Sequence, residues 1–224
     1  MRVTDPTRLD ALFATDPGMP MIDIRPSTAA PDPDTLDVRA LDRRATVIAL
    51  NTLRLVRPGH LRLPTPCEGW NLGDLLGHMV AENRGFTAAG RGITDPAAWR
   101  DDAYDGDPWT AFTTSAVTVT AALAGDDILE RTLMIREFGP IPGRVAIAMH
   151  FLDNLVHAWD IARTIGADDT IEPELALIAL AFAERWNLSE PGAVFAGALP
   201  APVDADPGRR LVAFLGRDPL RRAS

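Results

Sequence analysis

Two histidines and an aspartate lie at helical spacing in one apolar stretch of the chain. His150, Asp153 and His157 follow one another at intervals of three and four residues within the run 145–162. At about 100° per residue, these side chains fall on one face of an α-helix, and Asp160 extends that face by a turn. Imidazole nitrogens and carboxylate oxygens are ligands that first-row metals accept. The spacing therefore predicts a metal-binding face.

The surroundings of this face support the metal hypothesis. Large apolar side chains occupy most other directions of the same segment, namely Val145, Ile147, Met149, Phe151, Leu152, Leu155, Val156, Trp159 and Ile161. A helix that is apolar on almost every side belongs in a protein interior. Ionisable groups there are costly unless they are paired or bind a metal. Two other interpretations stay open: Asp153 and His157 form a buried ion pair, or the polar face meets another subunit.

A third ligand must come from another part of the chain, because a catalytic zinc site typically takes three protein ligands and keeps one position open. The chain has four histidines. His60 follows a Pro-Gly break among polar residues and is expected at the surface. His78 lies on the apolar face of another helical segment, so it completes a candidate set with Asp153 and His157. A core histidine bonded to a carbonyl or hydroxyl group is the alternative for His78.

Four other side chains have candidate roles. His150 stands one turn before the aspartate and is the candidate for proton transfer, a fourth ligand or a group that orients the ligands. Asp160 is placed to orient an imidazole or to meet an arginine. Glu82 is expected in a solvated position, with a general base as the alternative. Cys67, the single cysteine, is expected to be structural, with a reactive thiol as the alternative, and a lone cysteine forms no intramolecular disulfide.

The composition is that of an ordinary globular protein and argues against some partners. The 224 residues are 46% hydrophobic and 24% charged, which fits one substantial core. The formal net charge of −9 argues against nucleic acid, since phosphate neutralisation needs clustered Lys and Arg. The locally basic segment 209–222 is expected to be a solvated tail. No apolar stretch approaches the roughly 20 residues that span a bilayer, so we expect a cytoplasmic protein without a membrane partner.

Helical periodicity and chain breaks predict the elements that position these residues. Long helices are expected at about 35–56, 71–90, 108–124, 144–165 and 172–186. The segment 129–138 is either one short strand or an extended connection, 139–143 is a break, and 193–203 has room for a short strand. The buried face of the first helix is predicted to consist of Leu36, Ala40, Val47, Ile48, Leu50 and Leu53.

The order of these elements predicts a simple domain organisation. Residues 1–34 are expected to be a poorly structured lead-in. Residues 35–190 are expected to form a four-helix metal-binding domain, because long amphipathic helices joined by loops favour an antiparallel bundle. Residues 191–224 are expected to be a small extension packed on that bundle.

Three segments of the chain resemble a known family. The segment 64–70, PTPCEGW, followed by LLGHM at 75–79, is similar to the N-terminal signature of the DinB-like superfamily. More closely, it resembles the actinobacterial branch related to mycothiol-dependent maleylpyruvate isomerase. The segment 150–162, HFLDNLVHAWDIA, resembles the second signature of that branch, and LGRDP at 215–219 is similar to its closing motif. The likeness extends over about residues 22–218.

The resemblance implies a fold and a ligand set. The fold would be mainly all-α, an up-down-down-up four-helix bundle, here with a small C-terminal α/β addition. Family members place a divalent metal between helices, held by a histidine of the second helix and by an acidic residue and a histidine four apart on a later helix. These positions correspond to His78, Asp153 and His157. The metal implied is zinc, with nickel or iron as alternatives.

The resemblance also implies a reaction class. Thiol-transfer members use the metal to activate the sulfur of a low-molecular-weight thiol such as mycothiol. We therefore expect a metal-dependent enzyme that uses such a thiol to conjugate, transfer to or isomerise a small electrophile, bound in an apolar pocket lined by Phe86, Phe151 and Trp159. A metal-dependent hydrolase with metal-bound water is one alternative, and a non-catalytic metal-binding sensor or structural dimer is another. A homodimer is expected.

Two departures from the isomerase pattern bear on the substrate. The acidic ligand is Asp153, where the isomerase has glutamate. The C-terminal region shows no clear match to the substrate-handling extension of the isomerase, so maleylpyruvate itself is not the expected substrate.

Overall fold

The computed structural model describes residues 35–100, 107–186, 188 and 196–220, with Glu137 described by its backbone alone. The lead-in expected at 1–34 and residues 193–195 of the region expected to have room for a short strand lie outside the described residues. The described α-helices are α1 Val38–Leu53, α2 Leu72–Gly90, α3 Pro108–Ala122, α4 Gly143–Ile165, α5 Pro173–Arg185 and α6 Pro207–Phe214. Two strands, β1 Thr132–Ile135 and β2 Gly139–Pro142, precede α4.

Local sequence signals account for the helix ends. Asn71 caps α2 by accepting from the backbone N–H of Asp74 at 3.0 Å, and the Asp74 carboxylate accepts in return from the Asn71 N–H. This reciprocal pair satisfies two N–H groups that the helix leaves unbonded. Helix α4 ends at Gly166, whose φ of 69° lies in the left-handed region that favours glycine. Helix α1 begins later than expected, because Asp37 provides the cap.

The four long helices form the bundle that the resemblance implies. Helix α1 lies along α4, and α2 lies along α3, while α2 also contacts α4. Helices α5 and α6 pack together, and their apolar side chains meet one side of α4 around Phe151 and Leu155. The mainly α-helical class with a small C-terminal addition is confirmed. Between residues 196 and 220 that addition contains α6 and no strand.

The buried face of α1 differs from the predicted one. Leu50 and Leu53 are buried as expected, but Leu36, Ala40, Val47 and Ile48 are only half-buried. The buried face instead contains Val38, Ala45 and Ala49 together with Asp42, which is 3% exposed. Apolar periodicity missed this face because a carboxylate occupies its centre.

A β-hairpin replaces the break predicted at 139–143. Strands β1 and β2 pair antiparallel, with Leu133 opposite Ile141 and Ile135 opposite Gly139. Both strands are edge strands, so Pro140 and Pro142 can belong to β2 without leaving a ladder bond unmade. Proline content alone therefore did not exclude a strand here.

The junction between the hairpin and α4 leaves no room for a side chain at Gly143. Its N–H donates to the Arg131 carbonyl at 2.7 Å. A Cβ at this position would lie 1.8 Å from the carbonyl oxygen of Ile128. Only glycine therefore allows the helix that carries the polar face to begin here.

The Gly143→Ala substitution should destabilise the protein, because backbone rather than a flexible side chain blocks the added methyl group. The expected loss is about 2 kcal/mol in the free energy of unfolding, measured by urea denaturation. Gly77→Ala in α2 is the matched control, since nothing lies within 4 Å of its Cβ, and alanine there should stabilise the helix by about 1 kcal/mol. Equal effects of the two substitutions would contradict the described junction.

Candidate metal centre

The fold brings His78, Asp153 and His157 together. His78 is on α2, and Asp153 and His157 are one turn apart on α4. One ligand atom from each residue lies within 4.8 Å of the other two. The Asp153 Oδ1 atom is 3.2 Å from Nε2 of His157 and 3.8 Å from Nε2 of His78. The sequence prediction that these residues meet across two helices is therefore confirmed as geometry, and their role as metal ligands stays a prediction.

The donor set suits a zinc-type ion. In a tetrahedral site with bonds of about 2.0–2.1 Å, neighbouring ligand atoms lie roughly 3.3 Å apart. The 3.2 and 3.8 Å separations to Asp153 Oδ1 are close to that value. The imidazole rings of His78 and His157 stand nearly perpendicular, at 84° with centroids 5.2 Å apart. Two imidazoles and one carboxylate are also a ligand set found in catalytic zinc sites.

Asp160 orients His157, as its place on the polar face predicts. Its Oδ2 atom is 2.9 Å from Nδ1 of His157, which leaves Nε2 directed towards Asp153. A carboxylate on the far nitrogen of a ligand histidine fixes the tautomer and the ring orientation. Arg217 in turn donates to both oxygens of Asp160, at 3.1 and 3.4 Å. The expected contact of Asp160 with an arginine is thereby confirmed.

Burial and charge set the protonation of these groups in opposite directions. Burial opposes ionisation of Asp160, but the Arg217 charge and the His157 contact outweigh it and lower the pKa of Asp160 to about 2. Burial likewise opposes the charges of Asp153 and His157. Their mutual attraction is stronger, so the pKa of Asp153 is lowered well below its ordinary value and the pKa of His157 is raised well above it. A metal ion would have to displace the His157 proton.

Arg217 is a residue of this site and not part of a solvated tail. It is 6% exposed, and its Nη2 lies 3.3 Å from Sγ of Cys67 as well as beside Asp160. The expectation that the basic segment 209–222 is solvated is wrong for this residue, because a buried carboxylate requires a cation. The resemblance of LGRDP at 215–219 to a closing motif was the one sequence signal for it.

Cys67 lies beside the same carboxylate. Its Sγ is 3.3 Å from Oδ2 of Asp160, and Cys67, His157 and Asp160 form a second group whose ligand atoms are within 4.8 Å of one another. The Arg217 guanidinium contacts two members of this group, Cys67 and Asp160. A positive charge at that position disfavours a second cation, so the group that includes His78 is the better metal candidate.

A loop shaped by its own hydrogen bonds positions Cys67 next to α2. The Thr65 hydroxyl donates to the Trp70 carbonyl at 3.0 Å and accepts from the Cys67 N–H at 3.2 Å. Gly69 adopts a φ of 80° within this turn. The Trp70 ring then packs against His78, with centroids 4.9 Å apart. The motif at 64–70 thus holds both a thiol and an aromatic ring against the candidate ligands.

A cavity of about 960 Å³ opens onto the candidate ligands. Its wall comes from the loop 64–71, from His78, Asp153 and His157, and from residues 196–199 and 216–218 of the C-terminal addition, with the side chains of Arg62 and Arg163 also contributing. Polar and apolar side chains both contribute to this wall. The protein thus places a solvent-connected space next to a buried donor set.

The apolar pocket expected from Phe86, Phe151 and Trp159 does not form. Phe151 and Trp159 pack in the core against α5 and α6. Phe86 lines a separate cavity of about 50 Å³ that also touches Asp153 and Glu82. The prediction was wrong because Phe151 and Trp159 lie on the side of α4 that packs against α5 and α6, whereas Phe86 belongs to α2.

Glu82 is buried rather than solvated. It is 7% exposed, and it forms an ion pair with Arg136. Its Oε1 atom is 3.9 Å from Nδ1 of His78. The expected solvated position is therefore wrong, because the hairpin places a cation against this face of α2.

His150 lies outside the cavity wall and is 0% exposed. Its Nδ1 is 2.6 Å from Oδ1 of Asp42 on α1, and its Nε2 is 2.8 Å from Oδ1 of Asn83 on α2. Both ring nitrogens are thus engaged away from the candidate metal centre. The proton-transfer role assigned to His150 stays a prediction, and sequence reasoning missed its partner Asp42.

Comparison with known proteins identifies the family. Residues 43–162 match the model of the mycothiol maleylpyruvate isomerase N-terminal domain. Over 189 residues the chain is 32% identical to Uncharacterized protein Rv0738 of Mycobacterium tuberculosis strain H37Rv and to Uncharacterized protein MT0763 of strain CDC 1551, covering 83% of this chain and 98% of each relative. The chain belongs to the mycothiol maleylpyruvate isomerase N-terminal domain family.

Solved structures agree on the fold. The crystal structure of the mycothiol-dependent maleylpyruvate isomerase superposes with a TM-score of 0.54 at 18% identity, covering 71% of this chain and 72% of that one. A histidine-to-alanine mutant of the same enzyme gives a TM-score of 0.54 at 17% identity. At this identity the likeness shows the fold alone. Among the described helices, none is both long and apolar enough to cross a membrane.

The stability of the protein should depend on pH through His150. Burial opposes the charge on His150, but the Asp42 carboxylate outweighs it and raises the pKa of His150 above 6.5. The folded state therefore holds this proton more tightly than the unfolded state does. The resulting stabilisation is fully present below pH 6.5 and is lost as the pH rises through the folded-state pKa.

The His150→Gln variant tests this dependence. At pH 6 we expect it to be less stable than the parent by about 3 kcal/mol, because Asp42 loses its buried counter-charge. The difference in the free energy of unfolding, measured by urea denaturation, should shrink as the pH rises to 9. His60→Gln, a partly exposed control, should follow the parent profile. A His150→Gln deficit that stays constant from pH 6 to 9 would refute the charged pair.

Proposed function

We propose that this chain is a metal-dependent enzyme that uses a mycothiol-like thiol to conjugate, transfer to or isomerise a small electrophile. The observation that carries the proposal is the convergence of His78, Asp153 and His157, with ligand atoms within 4.8 Å of one another, on a cavity of about 960 Å³. Membership of a family named for a mycothiol-dependent isomerase supports the choice of thiol.

His78, Asp153 and His157 would hold the ion, with zinc first and nickel or iron as alternatives. When bound, the ion would lower the pKa of a thiol so that the thiolate forms near neutral pH. Asp160 keeps His157 in the tautomer that presents Nε2 to the site. Arg217 neutralises Asp160 from behind, so the negative charge of Asp160 does not add to that of Asp153 at the ligand set.

The cavity is large enough for two reactants. Pockets for small molecules usually measure about 300–1,000 Å³, and this one is at the upper end of that range. Polar groups of the loop 64–71, among them Thr65 and Asn71, line the wall and would bind a hydroxyl-rich thiol. Arg62, an exposed side chain at the cavity, would attract an electrophile that carries negative charge.

This proposal keeps three expectations from the sequence: the domain boundaries, a homodimer and a cytoplasmic location. We do not propose maleylpyruvate as the substrate, since the chain has aspartate where the isomerase has glutamate and its C-terminal region shows no clear match to the isomerase extension. The reaction class is carried by the site, and the electrophile has to be found by assay.

Elemental analysis of the purified protein tests the ligand set. The parent should carry close to one divalent ion per chain, and His78→Ala and His157→Ala should each lose most of it, because two remaining ligands bind weakly. His60→Ala is the matched control, since His60 only accepts from the Arg57 N–H at 3.2 Å, and it should keep its metal. Retained metal in either ligand variant would remove that residue from the set.

A thiol assay tests the reaction class. Metal-loaded protein is mixed with mycothiol and a panel of electrophiles, and consumption of the free thiol is followed with time. We expect turnover that the chelator-treated protein and the His157→Ala variant lose by at least about 100-fold, since thiolate formation depends on the centre. Hydrolysis of esters or amides without any thiol would instead favour the hydrolase, and absence of both activities would favour the non-catalytic alternative.

A further inference from the structure

A chain of buried hydrogen bonds crosses the whole bundle next to the candidate metal centre. Asp42 of α1 contacts Nδ1 of His150 on α4 at 2.6 Å, and Nε2 of His150 contacts Oδ1 of Asn83 on α2 at 2.8 Å. Asn83 Nδ2 donates to Oγ of Ser115 on α3 at 3.0 Å, and Ser115 donates to the Phe112 carbonyl at 2.9 Å. We refer to Asp42, His150, Asn83 and Ser115 as the cross-bundle network.

The donors and acceptors of this network determine the state of His150. Ser115 uses its proton on the Phe112 carbonyl, so it accepts from the Asn83 amide nitrogen. Asn83 Oδ1 then faces His150 as an acceptor, and the Asp42 carboxylate is an acceptor too. Both ring nitrogens therefore carry protons. Asn154 Nδ2 also lies 3.2 Å from Nε2 of His150, and it donates to the His150 backbone carbonyl at 3.1 Å.

A doubly protonated, fully buried imidazole is neither a metal ligand nor a proton acceptor. Its environment offers no path to the reactants, since His150 is 0% exposed and the Phe86 ring covers it at a centroid distance of 4.8 Å. None of the four side chains of the cross-bundle network is among the described buried groups that lack a hydrogen-bond partner, and a satisfied network of buried polar groups rigidifies a core. His150 can therefore affect the site only by fixing the positions of the helices around it.

The network joins the two helices that carry the candidate ligands. Asn83 follows His78 on α2 by little more than one turn, and His150 precedes Asp153 on α4 by less than one turn. The 3.8 Å separation of His78 from Asp153 spans the same α2–α4 interface as the 2.8 Å contact of Asn83 with His150. Apolar side chains at such an interface tolerate small shifts, whereas a directional hydrogen bond fixes the spacing and the register.

We infer that His150 is a positioning residue: held by Asp42, it bonds Asn83 and so sets the distance between His78 and the Asp153–His157 pair. The inference rests on the proposed function, because it assigns the network a role in forming the metal centre. It replaces proton transfer as the role of His150. Loss of the His150–Asn83 bond should let α2 shift against α4 and distort the ligand set, even though no ligand is changed.

Cobalt(II) binding tests this inference through a measurement that does not depend on catalytic activity. The Asn83→Leu variant keeps the side-chain size but removes the acceptor for His150. We expect it to bind Co²⁺ at least about ten times more weakly than the parent and to show a changed visible d–d spectrum, which reports the ligand geometry. Asn83→Asp restores an acceptor oxygen and should recover the parental spectrum.

A buried substitution on the same helix provides the control. Thr87 of α2 donates only to the Asn83 backbone carbonyl, at 2.7 Å, so Thr87→Val removes a buried hydrogen bond without touching the α2–α4 contact. It should bind Co²⁺ like the parent, whatever its stability. If Asn83→Leu does not fold, as judged by circular dichroism, Asp42→Asn takes its place, with the same expected weakening because the imidazolium loses its counter-charge.

The outcomes distinguish a failure of this inference from a failure of the proposed function. A parent protein that binds no Co²⁺ overturns both. Parental Co²⁺ binding with unchanged affinity and spectrum in Asn83→Leu overturns the positioning role and leaves the metal centre intact. Equal weakening in Thr87→Val and Asn83→Leu also overturns it, because general destabilisation would then explain the effect.

Discussion

The burial of a polar face on α4 is the constraint on which the rest of the structure depends. His150, His157 and Asp160 are at most 4% exposed, and Asp153 is only slightly more accessible. Each charged group removed from water requires a partner of opposite charge or a metal ion. Other segments of the chain have to supply those partners, so the position of each segment is tied to this one helix.

The partners divide the polar face of α4 into three parts. At one end, α1 contributes Asp42 and α2 contributes Asn83, and together they enclose His150. At the other end, Arg217 from the C-terminal addition compensates Asp160. Between them, Asp153 and His157 meet His78 across the α2–α4 interface and open onto the cavity. The cross-bundle network and the candidate metal centre therefore share one helix. The network is well placed to hold the candidate ligands in position.

The elements outside the bundle serve the same helix. The hairpin leads into α4 at Gly143, where the backbone of Ile128 allows no side chain. The loop 64–71 brings Cys67 and Trp70 to the cavity, and residues of the segments 196–199 and 216–218 form another part of the cavity wall. Because that wall includes the cation that Asp160 needs, the C-terminal addition completes both the electrostatics and the shape of the site.

Much of the fold and of the candidate site could be predicted from the sequence, because helix spacing, helix caps and chain breaks depend on local interactions. The shared face of His150, Asp153, His157 and Asp160, the start of α2 at Asn71 and the end of α4 at Gly166 follow from interactions between residues a few positions apart. Only the tertiary structure decided which remote groups meet that face. Asp42 is 108 residues from His150, and Arg217 is 57 residues from Asp160. Contacts over such separations depend on how whole helices pack, and no short-range periodicity encodes them. For that reason the sequence left Arg217 in a solvated tail and overlooked Asp42, whereas helix packing places both in buried ion pairs.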